Sequence, residues 1–178
     1  MPNWCYGYVV VKGKPENIEA FCRNFIFEGE EGIKAKPNVN LGGNRYFARS
    51  FIHETWASFK KEYLGKRIAK FGVDFAWSVT SCLIEGYPQK DKQCFTLIDA
   101  CKKYNVDVTI ESEESGMGFE ESIKCSRKGI LKEEAFEMPI YRCGKCGESQ
   151  QISSKSDLED ETCYECENIG SWKKVNKK

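Results

Sequence analysis

From Trp4 to Lys12 the chain runs through aromatic and β-branched residues, a strand pattern that Gly13-Lys14-Pro15 closes. Pro15-Glu16 then opens a run with Ile18, Phe21, Cys22 and Phe25 at helical spacing. Glu28 to Gly43, with its Gly, Pro and Asn content, predicts a loop, and Arg45 to Thr55 predicts a strand. Trp56, Phe59, Tyr63, Ile68 and Phe71 fall near one helical face, which predicts a single helix from Trp56 to Phe71 with Gly65 as its weak point. Val73, Phe75, Trp77 and Val79 alternate with Asp74, Ala76 and Ser78, the period of a half-buried strand.

Lys92 to Tyr104 predicts another helix, with Phe95, Ile98 and either Ala100 or Cys101 turned inward. Val106, Val108 and Ile110 alternate with Asp107, Thr109 and Glu111 as a further strand. Phe119 to Cys125 and Ile130 to Met138 flank Ser126-Arg127-Lys128-Gly129, a hairpin pattern. Taken in order, β-α-β-(α)-β-α-β and a hairpin predict an α+β fold: a ferredoxin-like antiparallel sheet with helices on one face.

Charge changes this picture little. The 178 residues carry 27 Lys+Arg against 27 Asp+Glu. Cutting before Pro139 leaves 20 of each sign in front and 7 of each behind. Zero net charge argues against polyanion binding by the whole surface, and the single His excludes a His-rich metal site. The start of the chain has neither a basic nor an apolar signal region, and the longest apolar run, Tyr8 to Val11, is far short of the roughly 20 residues of a membrane span. A cytoplasmic protein with reduced thiols, no membrane partner and no implied small-molecule substrate is the expectation.

Cysteine divides the chain where charge does not. Of ten, six are scattered singly before position 139 and four lie in two tight pairs after it. The predicted domains are therefore 1–138 and 139–178. Cys143-Gly144-Lys145-Cys146 and Cys163-Tyr164-Glu165-Cys166 form two C-x2-C pairs separated by 16 residues. Two intervening residues let both sulfurs of one turn reach a single ion. Gly147 then lets the backbone curl so that its amides face them. Four thiolates suit one tetrahedral, structural Zn²⁺ with no open position, so Cys143, Cys146, Cys163 and Cys166 are the predicted ligands of a small C-terminal zinc ribbon. Iron in the same ligand set is the alternative. Ser149 to Ser153 and Ser171 to Val175 are its predicted strands.

Other groupings are weaker. Lys60, Lys61, Lys66, Arg67 and Lys70 against Glu62 give +4 over eleven residues, a candidate phosphate-contacting helix face that also reads as the solvated side of an amphipathic helix. Lys173 and Lys174 beside Trp172 begin a basic tail. Glu111, Glu113, Glu114, Glu120 and Glu121 surround Gly116-Met117-Gly118, and strand alternation is expected to turn many of them outward. His53 lacks a motif that would pair it with Cys5, Cys22 or Cys82. The six single cysteines are expected to pack as small hydrophobes, and Trp4 and Trp77 to join the core.

Pro2-Asn3-Trp4-Cys5, followed by a strand and Gly13, resembles the opening of the ferredoxin-like proteins of phages and plasmids known as the YubB-like family. Ala76-Trp77-Ser78, the stretch from Lys102 to Glu113, and Glu114-Ser115-Gly116-Met117-Gly118-Phe119 resemble later family elements in the same order. Val79 and Thr80 replace the family's prolines, and Gly7 its Asn. The resemblance implies the fold and a mobile-element setting, and brings no catalytic residues. The expected function is non-catalytic binding of nucleic acid through the basic helix, ribbon and tail. The alternative is a protein-directed inhibitor or adaptor, such as a counter-defence factor acting on a host nuclease complex of the CRISPR kind.

Overall fold

Strand β1, Trp4–Lys12, forms where its sequence predicts a strand: Cys5, Val9 and Val11 are buried, while Tyr6 and Lys12 are exposed on the opposite side. The computed structural model describes residues 3–27, 50–84 and 96–175. The predicted loop from Glu28 to Gly43, residues 45–49 of the strand predicted from Arg45 to Thr55, Cys94 and Phe95 at the start of a predicted helix, and the tail end Asn176 to Lys178 lie outside these residues. Around β1 the sheet gathers β2 (Ser50–Ile52), β3 (Ile68–Ala76), β4 (Asp107–Glu114), β5 (Phe119–Cys125) and β6 (Leu131–Glu137). Its six strands run in the order β2-β3-β1-β4-β5-β6, and every neighbouring pair is antiparallel.

The sequence explains the helices that cover one face. Helix α1, Pro15–Phe21, begins on proline, which lacks the N–H that a first turn leaves unpaired. It widens into a π-helical turn, Cys22–Ile26, where the Phe27 N–H reaches the Cys22 carbonyl at 2.6 Å. Helix α2, Trp56–Tyr63, is capped by the Thr55 hydroxyl, which accepts the Ser58 N–H. Helix α3, Leu97–Tyr104, starts with a reciprocal Thr96–Asp99 capping box and stops at Asn105, whose φ of 53° is left-handed. Ile18 and Phe21, Trp56 and Phe59, and Leu97, Ala100 and Cys101 all enter one core with the buried side of the sheet. No described helix is long and apolar enough to cross a membrane.

Two expectations fail here. The helix predicted from Trp56 to Phe71 ends at Tyr63, because Gly65 turns left-handed at φ 78° and the chain re-enters as strand β3. From there Ala69, Phe71, Val73 and Phe75 alternate into the core, a period-two pattern that the helical reading had divided between two elements. Trp77 does not join the core. Its φ of 73° ends the strand and leaves the ring 44% exposed.

After β6 the chain forms a second sheet from β7 (Ile140–Cys143), β8 (Ser149–Gln151) and β9 (Trp172–Lys174), in the order β8-β7-β9. It rests against the helix-free face of the large sheet. Ser153 and Ser154 meet Glu120 there, and Lys155 pairs with Glu111 at 3.0 Å. The Met138 N–H also bonds to the Gly118 carbonyl at 2.7 Å.

Candidate functional site

The four paired cysteines converge. Their sulfurs all lie within 4.8 Å of one another, with Cys143 to Cys166 at 3.8 Å and Cys146 to Cys163 at 3.6 Å. Four sulfurs placed tetrahedrally about 2.3 Å from a central ion stand roughly 3.8 Å apart, so the donor set and its spacing fit one ion.

Two equivalent turns produce this convergence. In the first, the Gly147 N–H bonds to the Cys143 carbonyl and the Cys143 N–H to the Glu148 carbonyl. In the second, Glu167 and Cys163 repeat the first bond, and Cys163 and Asn168 the second. The residue after the second cysteine of each pair is left-handed, Gly147 at φ 81° and Glu167 at φ 56°. Backbone N–H groups of Cys146 and Lys145 point at the Cys143 sulfur and lower its thiol, while burial and the neighbouring sulfurs raise that of Cys146.

The five single cysteines among the described residues, Cys5, Cys22, Cys82, Cys101 and Cys125, are buried in the main core. Burial, with Glu121 and Glu114 nearby, pushes the Cys5 thiol up to about 12, the setting of a packed thiol and not of a nucleophile. His53 lies on the sheet's helix-free side with Nε2 2.7 Å from Asp74.

The predicted basic group is divided by the fold. Lys60 and Lys61 sit on α2, Lys66 and Arg67 in the turn after it, and Lys70 on β3 facing away from the helices, with Nζ 3.7 Å from the Tyr8 ring centre. Lys173 and Lys174 are exposed on β9, and Lys174 borders a cleft of about 420 Å³ with Glu120, Phe136 and Lys155. No local sequence signal marks a second basic grouping, which only the fold assembles. The C-terminal ends of β1, α2, α3 and β5 and the N-terminal ends of β3, β4 and β6 all lie at one end of the molecule. Lys12 and Lys14, Lys66 and Arg67, Lys102 and Lys103, and Arg127 and Lys128 meet there with Lys70, Lys124 and Lys132, and all are exposed. Asp107 at this end is bound to Arg127 through a 2.5 Å ion pair.

Nor does the acidic cluster turn outward as expected. Glu114, Glu120 and Glu121 are buried, at 4%, 5% and 8% exposure. Glu114 receives the Gly116 and Met117 N–H groups of the following turn. Period-two alternation on β5 does contain the signal for Glu121, which shares its parity with Ile123 and Cys125. A cleft of about 600 Å³ between this turn and the cysteine-bearing sheet is bordered by Glu113, Glu148, Glu161, Glu165 and Tyr164. Compared with protein-family models, curated proteins and solved structures, the chain matches none.

Proposed function

We propose that the protein is a non-catalytic nucleic-acid-binding protein whose C-terminal unit, 139–178, is a zinc ribbon on a ferredoxin-like domain, 1–138. The observation carrying the nucleic-acid reading is the gathering of cations from β1, β3, α3, β5 and β6 and the turns beside them at one end of a chain with no net charge. The order β2-β3-β1-β4, with α1 and α3 as the crossings, supports the ferredoxin-like reading and with it the YubB-like resemblance. Paired turns and a closed set of four sulfurs support a structural Zn²⁺ ion. A reducing, cytoplasmic compartment suits thiols that serve as ligands or core.

Retention on immobilised DNA and RNA at low salt, with elution as salt rises, tests this reading. A full-length protein that passes through both at 50 mM salt ends it. Metal analysis is expected to give one zinc per chain, and stoichiometric iron would replace that assignment.

A second reading, a protein-directed inhibitor or adaptor, is favoured by the cleft lined with Glu113, Glu148, Glu161 and Glu165, which complements a basic partner surface. Affinity purification from the native host separates the two. A single host protein complex recovered after nuclease treatment favours the second.

A further inference from the structure

The register of the large sheet sorts the charges on its helix-free face into rows. Lys70 pairs with Val10, Val10 with Thr109, Thr109 with Lys124, and Lys124 with Lys132, so these five side chains cross β3, β1, β4, β5 and β6 in one line. Lys12 lies in the next row outward, opposite Ile68 and Asp107. In the other direction the rows change sign. The first is Gly72, Tyr8, Glu111, Ser122 and Glu134, and beyond it Asp74, Tyr6, Glu113 and Glu120 lead to Phe136. The cysteine-bearing sheet docks on this acidic half through Glu111 and Glu120, leaving the exposed lysines of the other half uncovered by it.

We propose that the row from Lys70 to Lys132 is a site for the sugar–phosphate backbone of duplex DNA, bound without sequence discrimination. This rests on the nucleic-acid reading above. Strands lie about 4.8 Å apart, so the row is roughly 19 Å long and the backbone gap from Lys70 to Lys124 roughly 14 Å, with the Lys70 ammonium leaning inward over the Tyr8 ring of β1. That gap is close to the width of the major groove, about 12 Å. Lys70 therefore meets the phosphates on one side of a groove, and Lys124 with Lys132 those on the other. Val10 and Thr109 lie between them, short and uncharged, so nothing enters the groove to read base edges. A single strand would gain from stacking on a free aromatic ring. Tyr8, the ring beside the row, is covered by Lys70 and tied through its hydroxyl to Glu111 at 2.8 Å.

The test uses the full-length, metal-loaded protein and fluorescence anisotropy with 20-base-pair duplexes of two unrelated sequences and one matching single strand. The two duplexes are expected to bind within threefold of each other and more tightly than the single strand. The Lys70→Ala/Lys124→Ala/Lys132→Ala variant is expected to lose at least tenfold in affinity at low salt. The slope of log K against log salt should shrink by about 2 to 3, near 0.9 per phosphate contact. Lys60→Ala/Lys61→Ala, on the helical side, is expected to leave both unchanged. If the triple variant keeps its affinity and slope while the wild type binds duplex, the row is not the site, and the nucleic-acid reading survives elsewhere on the surface. A tenfold preference for the single strand overturns the duplex assignment. If the wild type retains no nucleic acid at low salt, the underlying reading itself is lost.

Discussion

Glu120 and Glu121 are neighbours on β5 that face opposite sides of the sheet, and both carboxyl groups are nearly buried. Glu121 enters the core, where it accepts the Val79 N–H at 3.0 Å and the Ser112 hydroxyl at 3.3 Å. Glu120 turns to the other face and accepts the Ser153 and Ser154 hydroxyls at 2.9 and 2.5 Å, together with the Ser154 N–H. It is the main polar tie between the two sheets.

Adjacent carboxyls in such different surroundings should respond to pH with opposite signs. Burial works against ionisation at Glu120, but the donors from Ser154 and Ser153 outweigh it and bring the group below the ordinary glutamate range. Its stabilisation is present above that range and is lost as pH falls through the lowered value. At Glu121 burial prevails over its two donors and raises the group. The stabilisation there is complete below the ordinary range and is lost as pH rises through the raised value. Glu120→Gln is therefore expected to cost about 1–3 kcal/mol at neutral pH and progressively less in acid. Glu121→Gln should gain on the wild type as pH rises. Urea denaturation of the three proteins from pH 4 to 8 checks this, and parallel pH profiles for the two variants would contradict it.

Gly7 makes a second prediction. It faces the core between Cys5 and Val9, opposite Ser112 of β4. A methyl group there would collide with the Glu111 carbonyl oxygen and lie 2.8 Å from the Ser112 Cα, both parts of a paired backbone that cannot swing aside. Gly7→Ala is expected to destabilise by about 3 kcal/mol, the upper end of the cost of overpacking. A loss within 0.5 kcal/mol (about the effect of an ordinary surface substitution) would mean that β1 and β4 can separate here.

These residues also show what could be read in advance. Cys143, Cys146, Cys163 and Cys166 were legible because ligand spacing is local: each pair fits one turn, and only the meeting of the pairs needs the fold. Strand β1 and the hairpin of β5 and β6 were legible for the same reason, since an aromatic and β-branched run marks the first and the Ser126-Arg127-Lys128-Gly129 turn marks the second. The run from Trp56 to Phe71 misled because Trp56, Phe59 and Tyr63 set a helical phase that Ile68 and Phe71 happen to continue across Gly65. The line from Lys70 to Lys132 was not legible. Its residues lie far apart in the chain, and only strand order and register bring them into one row.

The two cysteine turns allow a matched comparison. Gly147 and Glu167 hold equivalent left-handed positions, and open space surrounds the site of a side chain at Gly147. Gly147→Ala should therefore cost only the conformational penalty, about 1–2 kcal/mol. Glu167→Gly relieves the same strain and is expected to be neutral or to stabilise by up to about 1 kcal/mol, after the greater freedom of glycine in the unfolded chain is set against it. Thermal unfolding of the metal-loaded proteins reads both. Equal effects of the same sign would show that the turns are not equivalent.

Metal removal tests the division of the chain. The sheet of β7, β8 and β9 has three short strands, and only Cys143, Ile152, Ser153, Cys163 and Gly170 are buried between residues 140 and 175. A unit this small cannot hold itself together by burial, and four thiolates on an ion supply about 10 kcal/mol or more of folding free energy. The large sheet has its own core and does not use these cysteines. Chelation, or Cys163→Ser, is therefore expected to unfold the small sheet and leave the large one intact. Trp172 reports the first event, because its indole N–H bonds to the Glu161 carbonyl at 3.0 Å inside the small unit. Trp56, stacked on Phe59 in the main core, reports the second. With single-tryptophan variants, the Trp172 emission should shift to the red on chelation while that of Trp56 stays fixed. Amide exchange in β1 and β4 should stay slow. Simultaneous loss of both signals would mean that the metal supports the whole chain and that 1–138 is not an independent domain.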